Sequence, residues 1–390
     1  MMKKGLSICK WTILIVFLVL TSTQFVAAEP GVTKTTIKVG SNMILTGPIA
    51  FWGQGSDKAA RAYFNQVNEQ GGIHGRKVVF INTDSGYKPV RAVAATKKMI
   101  EKDEVFVLMG YMGSAIILAS EKVFGEAGVP LIGPISTGKA LVEPPRKYLF
   151  NVLTGYEEQG IVILDFLAKD PRWKNMKIAA IYQDDQFGRD GMDAFEAATK
   201  RHSGMKIIAK ELSVRGNKDF SSQVLKCKNS GADSLFIQVP TTQTAMIVKE
   251  AEKIAWKPKF MVFSATVDEK VIELAGSASE GLIGATHTIL PSDKNDPVVK
   301  KLTQLVHKYY PDQVINAPVA DGVAMAMITA EAIKMAGSDP TREKVIKALE
   351  NMKGYKTGIL PPVSFGPNQR QGCTHAFLYQ VENGRFVLKN

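Results

Sequence analysis

From Ile37 onward the chain alternates short β-branched runs with stretches whose apolar residues recur every three or four positions. Parallel strands need long crossovers, usually helices that pack back onto the sheet, so this alternation predicts an α/β fold. The first expected strand is "IKVGSNMI", followed by a helix over about Ser56–Glu69 with Ala59, Ala60, Tyr63, Phe64 and Val67 on one face. Strand "KVVFINTD", helix "PVRAVAATKKMIEK" opening on Pro89, strand "VFVLMG", helix "SAIILASEKVFGEAG" and strand "VPLIG" then complete one doubly wound lobe.

The alternation restarts after Phe150, through "EEQGIVILDFLAK", "KIAAIYQ", "FGRDGMDAFEAATKRH", "MKIIAKEL", "DFSSQVLKCKNS", "DSLFIQV", "TQTAMIVKEAEKIA" and "FMVFS". Beyond Gly281 come three helical stretches, starting at "VVKKLTQLVHKYY", and then short strands and turns. That tail has too few strands for a third sheet and is expected to return to the first lobe and cross again. The expected division is 31–150 plus 281–362 for lobe 1 and 151–280 plus 363–390 for lobe 2, each of ordinary domain size.

The N-terminus is set apart by composition. "MMKKGLSICK" carries three lysines and no acid, and "WTILIVFLVL" is an apolar run shorter than the ~20 residues a membrane span needs. With small residues at "FVAA", this reads as a signal peptide over residues 1–28, cleaved after Ala28, and predicts a periplasmic location. Cleavage takes the formal net charge from +12 to +9. The basic residues are spread along the chain without interleaved aromatics, so nucleic acid is not an expected partner.

Cleavage would remove Cys9, and the two remaining cysteines, Cys227 and Cys373, are too few for a disulfide framework, while Cys227 shares a helical stripe with Phe220 and Val224. His74, His202, His287, His307 and His375 are singletons without metal-ligand spacing, and no cofactor is expected. The segment "GPISTGKA", Gly133 to Ala140, matches the G-x-x-x-x-G-K spacing of a phosphate loop. Ala140 stands where magnesium would need Ser or Thr, Pro134 removes a backbone N–H, and Pro144 and Pro145 cut short any supporting helix. Pro134 also breaks the G-x-S-x-G elbow of a hydrolase. Nothing assembles a nucleophile, base and orienter, so no enzyme is expected.

Small hydroxyl residues do gather at the carboxyl ends of expected strands, where open α/β sheets place ligands. Ser114 starts a helix after "VFVLMGYMG", in the same turn as Tyr111, and Ser136 and Thr137 follow "VPLIGP". Helix-start N–H groups joined by hydroxyls suit a carboxylate. Before them, the Gly-rich turn "LTGPIAFWGQG" carries Phe51 and Trp52, two large aromatics expected to cover something apolar.

At "LTGPIAFWGQG" and "VNEQGGIHGRKVVF" the sequence resembles the leucine/isoleucine/valine-binding proteins, type I periplasmic binding proteins of ABC importers. The resemblance continues through "DSGYKPVRAVAATKKMI", "VPLIGPISTGKAL", "IAAIYQDDQFGRDG", "KDFSSQV" and "FMVFSATVDEKVIELAG". It implies two Rossmann-like lobes joined by three hinge strands, closing on a small ligand and docking, as a monomer, on an ABC permease. Residue by residue, it places the aromatic lid at Trp52 and the carboxylate-binding residues at Ser114, Ser136 and Thr137, and Tyr111 is a further candidate ligand contact.

The second lobe departs from the amino-acid-binding pattern. Phe187 in "DDQFGRDG" lacks a phenolic hydroxyl, "QVPTTQ" puts Pro240 and Thr241 where the family has a tyrosine, and Tyr156 stands at an acidic position. The acid that holds the ligand ammonium aligns with Ser264 in "VFSATVD". The expected ligand is a small carboxylate: a branched-chain or aromatic amino acid if Asp184, Asp185 or Asp268 restores the ammonium partner, or an amine-free acid if none does. A sensor subunit presenting the ligand to a membrane receptor is the alternative role.

Overall fold

The structure, a computed structural model, describes residues 29–389 except Pro48 and Asp293. The expected signal segment lies outside the described residues. The chain runs β1 (Thr36–Ser41), α1 (Ala50–Glu69), β2 (Lys77–Asn82), α2 (Pro89–Glu101), β3 (Val107–Met109), α3 (Ser114–Glu126), β4 (Leu131–Ile132) and β5 (Leu149–Thr154). It continues through α4 (Tyr156–Ala168), β6 (Lys177–Gln183), α5 (Gln186–Thr199), β7 (Lys206–Ser213), α6 (Ser221–Asn229), β8 (Ser234–Gln238), α7 (Thr241–Lys253), β9 (Lys259–Val262), α8 (Glu269–Ala275) and β10 (Ile283–Thr286). The last elements are α9 (Pro297–Tyr309), α10 (Ala317–Met335), α11 (Arg342–Asn351), β11 (Gln371–Cys373), β12 (Phe377–Glu382) and β13 (Arg385–Lys389).

These form two sheets, ordered β11-β5-β4-β3-β1-β2 and β13-β12-β10-β9-β8-β6-β7. In the first, β1 lies parallel between β2 and β3, with Val39 opposite both Phe80 and Val107. In the second, β6 lies parallel between β7 and β8, with Ile181 opposite both Glu211 and Ile237. Each sheet therefore reverses its strand order beside its first strand, and the crevice of a doubly wound fold opens there, at the strands' carboxyl ends.

Three connections join the sheets. The chain leaves the first sheet at β5, returns after β10, and crosses again between β11 and β12. Two strands sit on the other side of the expected boundaries: β10 belongs to the second sheet and β11 to the first. Backbone pairing decides both, because β10 lies between β9 and β12, while β11 pairs with β5. The tail helices pack on the first lobe. Leu302 and Val306 of α9, Val319 and Val323 of α10 and Val345 of α11 share a core with Ile37, Val39 and Phe64.

Helix starts follow their capping chemistry. Asp185 accepts from the Gly188 N–H at 3.2 Å to open α5, Asp296 caps α9 ahead of Pro297, and Asn316 caps α10. The Ala-rich α10 is apolar on most sides and is buried against α1. A further apolar cluster runs across the inter-lobe gap, joining Trp52, Tyr87, Met112 and Ile116 of the first lobe to Val239, Val267 and Val271 of the second. The lobes are thus in contact.

Candidate ligand-binding cleft

Between the lobes, at the carboxyl ends of both sheets, lies a cleft of about 660 Å³ with its mouth included. The first lobe contributes Ile49, Phe51 and Trp52 after β1, Tyr87 after β2, Met112 and Gly113 after β3, and Ile135, Ser136 and Thr137 after β4. The second contributes Phe187 after β6, Pro240, Thr241 and Thr242 after β8, and Ser264 and Ala265 after β9. Leu153, Tyr156 and His287 come from the hinge segments. Both walls are therefore built from the switch-point loops of their sheets.

Phe51 and Trp52 do not stand on a loop. Helix α1 begins at Ala50, before the expected Ser56, and both aromatics occupy its first turn. Gly53 makes this possible: a Cβ there would sit 1.8 Å from the Ile44 carbonyl oxygen, so only glycine lets the helix start lie against the end of β1. Trp52 is buried at 7% exposure, with the Phe51 ring 5.8 Å away. Opposite, the Tyr156 ring stacks on Phe263 at 5.3 Å and meets Phe187 edge-on at 6.3 Å. Burial pushes the Tyr156 phenol well above its ordinary pKa.

Ser136 and Thr137 line the cleft and are buried, and Thr137 Oγ1 has no hydrogen-bond partner among the described residues. A buried hydroxyl in that condition fits a group that a ligand completes. Ser114 lies one layer behind, its Oγ 2.7 Å from that of Ser136, and it does not line the cleft. Tyr111 is a correction to the expected contacts. Its side chain points into the core of Met99, Val105 and Phe124, and its hydroxyl is 2.9 Å from Thr96 Oγ1 on α2.

On the second wall, the Thr241 hydroxyl donates to the Ala265 carbonyl at 2.9 Å, and the Ser264 N–H donates to Gln159 Oε1 at 2.9 Å. Among the described residues, no Asp, Glu, Lys or Arg lines the cleft. The three acids that could have held an ammonium are engaged elsewhere. Asp184 pairs with Arg189 at 3.0 Å, and Asp185 caps α5 and pairs with Arg215. Asp268 accepts from the Lys270 and Ala317 N–H groups at 2.9 and 3.2 Å. Outside the cleft lining, Asp190 of α5 lies so close to the first lobe that a Cβ on Gly138 would be 2.0 Å from its Oδ2.

The family model described as periplasmic binding protein matches residues 36–385, nearly the whole described chain. This chain belongs to the periplasmic binding proteins. It is thus a member of a family of solute-binding receptors, not of enzymes. Among the relatives of this periplasmic binding protein is the leucine-, isoleucine-, valine-, threonine-, and alanine-binding protein of Pseudomonas aeruginosa, 26% identical, with 83% of this chain and 84% of that protein covered. A valine-bound branched-chain amino acid ABC transporter protein from Thermus thermophilus superposes with a TM-score of 0.83 at 23% identity, covering 92% of this chain and 96% of that one. A fatty acid ABC transporter substrate-binding protein from Thermomonospora curvata gives 0.81 at 24% identity, covering 93% of both chains. The fold is the type I periplasmic binding protein fold. No helix among the described residues is long and apolar enough to cross a membrane.

Three polar residues of this binding protein's cleft escape sequence reasoning, Tyr87, Thr242 and His287. Tyr87 sits in a loop with a left-handed φ of 63°, and His287 follows a hinge strand. His287 Nε2 lies 3.1 Å from Asp321 Oδ2 of α10, and its Nδ1 is buried without a partner. A histidine isolated in sequence gives no hint of a carboxylate 34 positions away.

Proposed function

We propose that this protein is the extracytoplasmic receptor of an ABC importer, closing on a small amine-free carboxylate and delivering it to a membrane permease as a monomer. The ligand's carboxylate is received by Ser136 and Thr137, with Ser114 fixing Ser136 from behind and the first turn of α3 supplying a positive helix end. Its hydrocarbon part is covered by Trp52, Phe51, Phe187 and Tyr156. Hinge closure joins the two halves of the site.

The observation that carries this reading is the absence of any acidic side chain from the described cleft lining, with Ser264 at the ammonium position. A desolvated ammonium without a partner costs about 3–5 kcal/mol, a factor of at least ~100 in affinity. The Thermomonospora curvata neighbour, named for fatty acids, supports an amine-free acid in this fold. A second reading, a branched-chain amino acid as ligand, draws on the names of the Pseudomonas and Thermus proteins. Calorimetric titration with benzoate-like and short-chain acids beside leucine and phenylalanine separates the two. Tight leucine binding removes the amine-free reading.

A further inference from the structure

His287 is 3% exposed and is among the residues that line the cleft, yet its Nδ1 has no hydrogen-bond partner among the described residues. Its other nitrogen is committed. Nε2 lies 3.2 and 3.1 Å from the two oxygens of Asp321, a carboxylate with no exposure at all. An ionised carboxylate only accepts, so Nε2 carries the hydrogen, and in that tautomer Nδ1 holds a lone pair. The two residues come from different parts of the fold, His287 from the segment after β10 and Asp321 from α10. The pair therefore ties the ring to α10, the helix that packs on α1.

We infer that His287 Nδ1 reads a hydrogen-bond donor on the ligand, so that the preferred solute carries a hydroxyl or N–H in addition to its carboxylate. The inference rests on the cleft being the ligand site, as proposed above. A buried acceptor left unsatisfied costs free energy, and a ligand that satisfies it is favoured over one that buries a methyl or a ring edge against it. Such a site discriminates more sharply than an apolar pocket, because rejecting a donor-free analogue requires only that the acceptor stay unpaired. Asp321 acts here as a positioning residue, fixing the tautomer and the ring plane.

The test is calorimetry on the full-length mature protein with matched pairs of probes. These are the three hydroxybenzoates against their methyl ethers, tyrosine against phenylalanine, and threonine against valine. At least one donor-bearing probe is expected to bind about tenfold or more tightly than its partner. H287Q, whose amide can both donate to Asp321 and accept from the ligand, keeps most of that preference. The double variant H287L/D321N, which avoids stranding a buried carboxylate, abolishes it, with thermal melts confirming that each variant folds. Equal binding within every pair in the wild type overturns the inference, and so does a preference that survives H287L/D321N. If only the amino-acid pairs bind and show the preference, the amine-free reading falls and the inference stands. If the acids bind without preference, the reverse holds. Binding by none of the probes overturns both.

Discussion

The Arg215 guanidinium lies 4.2 Å from the centre of the Tyr87 ring and donates to the Tyr87 carbonyl at 2.8 Å, bridging the two lobes at the cleft rim. Its other arm pairs with Asp185, the cap of α5. One planar cation thus connects a first-lobe loop to the helix that carries Phe187. Burial pushes the Tyr87 phenol up to about 12, so the ring stays neutral through the physiological range. Replacing Arg215 with Ala is expected to weaken ligand binding about tenfold and to shift small-angle scattering of the liganded protein toward a more open form. Lys at this position should not restore either property, because it lacks the fork that stacks and pairs at once.

The hydroxyls of Ser114 and Ser136 form a short relay in which one residue faces the cleft and the other stands behind it. Ser136→Ala is expected to cost about 1 kcal/mol of binding, near tenfold at the upper end, and Ser114→Ala about half of that. The double variant should lose less than the sum, since both changes act through one hydrogen bond. A calorimetric double-mutant cycle with the tightest-binding acid measures that coupling.

Ser264 gives a gain-of-function test. Ser264→Glu places a carboxylate where the cleft lining has none, and is expected to favour α-amino acids over the matching des-amino acids by tenfold or more. Competition between leucine and 4-methylpentanoate reads this directly. An unchanged ratio would show that the missing acid does not govern the choice.

Glu269 opens α8, and both its carboxylate oxygens are buried without partners. Burial, helped by the nearby Asp268 charge, raises its pKa from 4.5 to about 7. The folded protein therefore favours the protonated form. The contribution of this group to stability is fully present below about pH 4.5 and is lost as pH rises through about 7. Glu269→Gln should raise the melting temperature by roughly a few degrees at pH 8 and leave it nearly unchanged at pH 4.5, as followed by circular dichroism.

Much of this architecture is legible because each strand and helix announces itself locally, through β-branched runs, apolar stripes and a helix start such as Pro89. Ser136, Thr137 and Trp52, which line the cleft, could be expected at a site from sequence because strand ends are where such sheets bind. The start of α1 was hidden by Gly53 and Gly55, which weaken a helical pattern but are required by close packing. Tyr111 misled because a strand-end aromatic can turn to either side, and here Thr96 draws its hydroxyl into the core. The hinge strands β10 and β11 are short and pair with partners far away in sequence, so no local pattern assigns them to a sheet. The pairing of His287 with Asp321 is equally non-local.

Cys227 and Cys373 are buried and unpaired, and burial pushes both thiols up to about 12. At neutral pH neither is present as the thiolate that attacks alkylating reagents. A single cysteine engineered at an exposed rim position such as Val214, just before Arg215, would thus be the preferred attachment point for a maleimide dye. Among the described residues the wild-type background is already chemically quiet, which suits residues 29–389 to conversion into a fluorescent reporter of the protein's own solute.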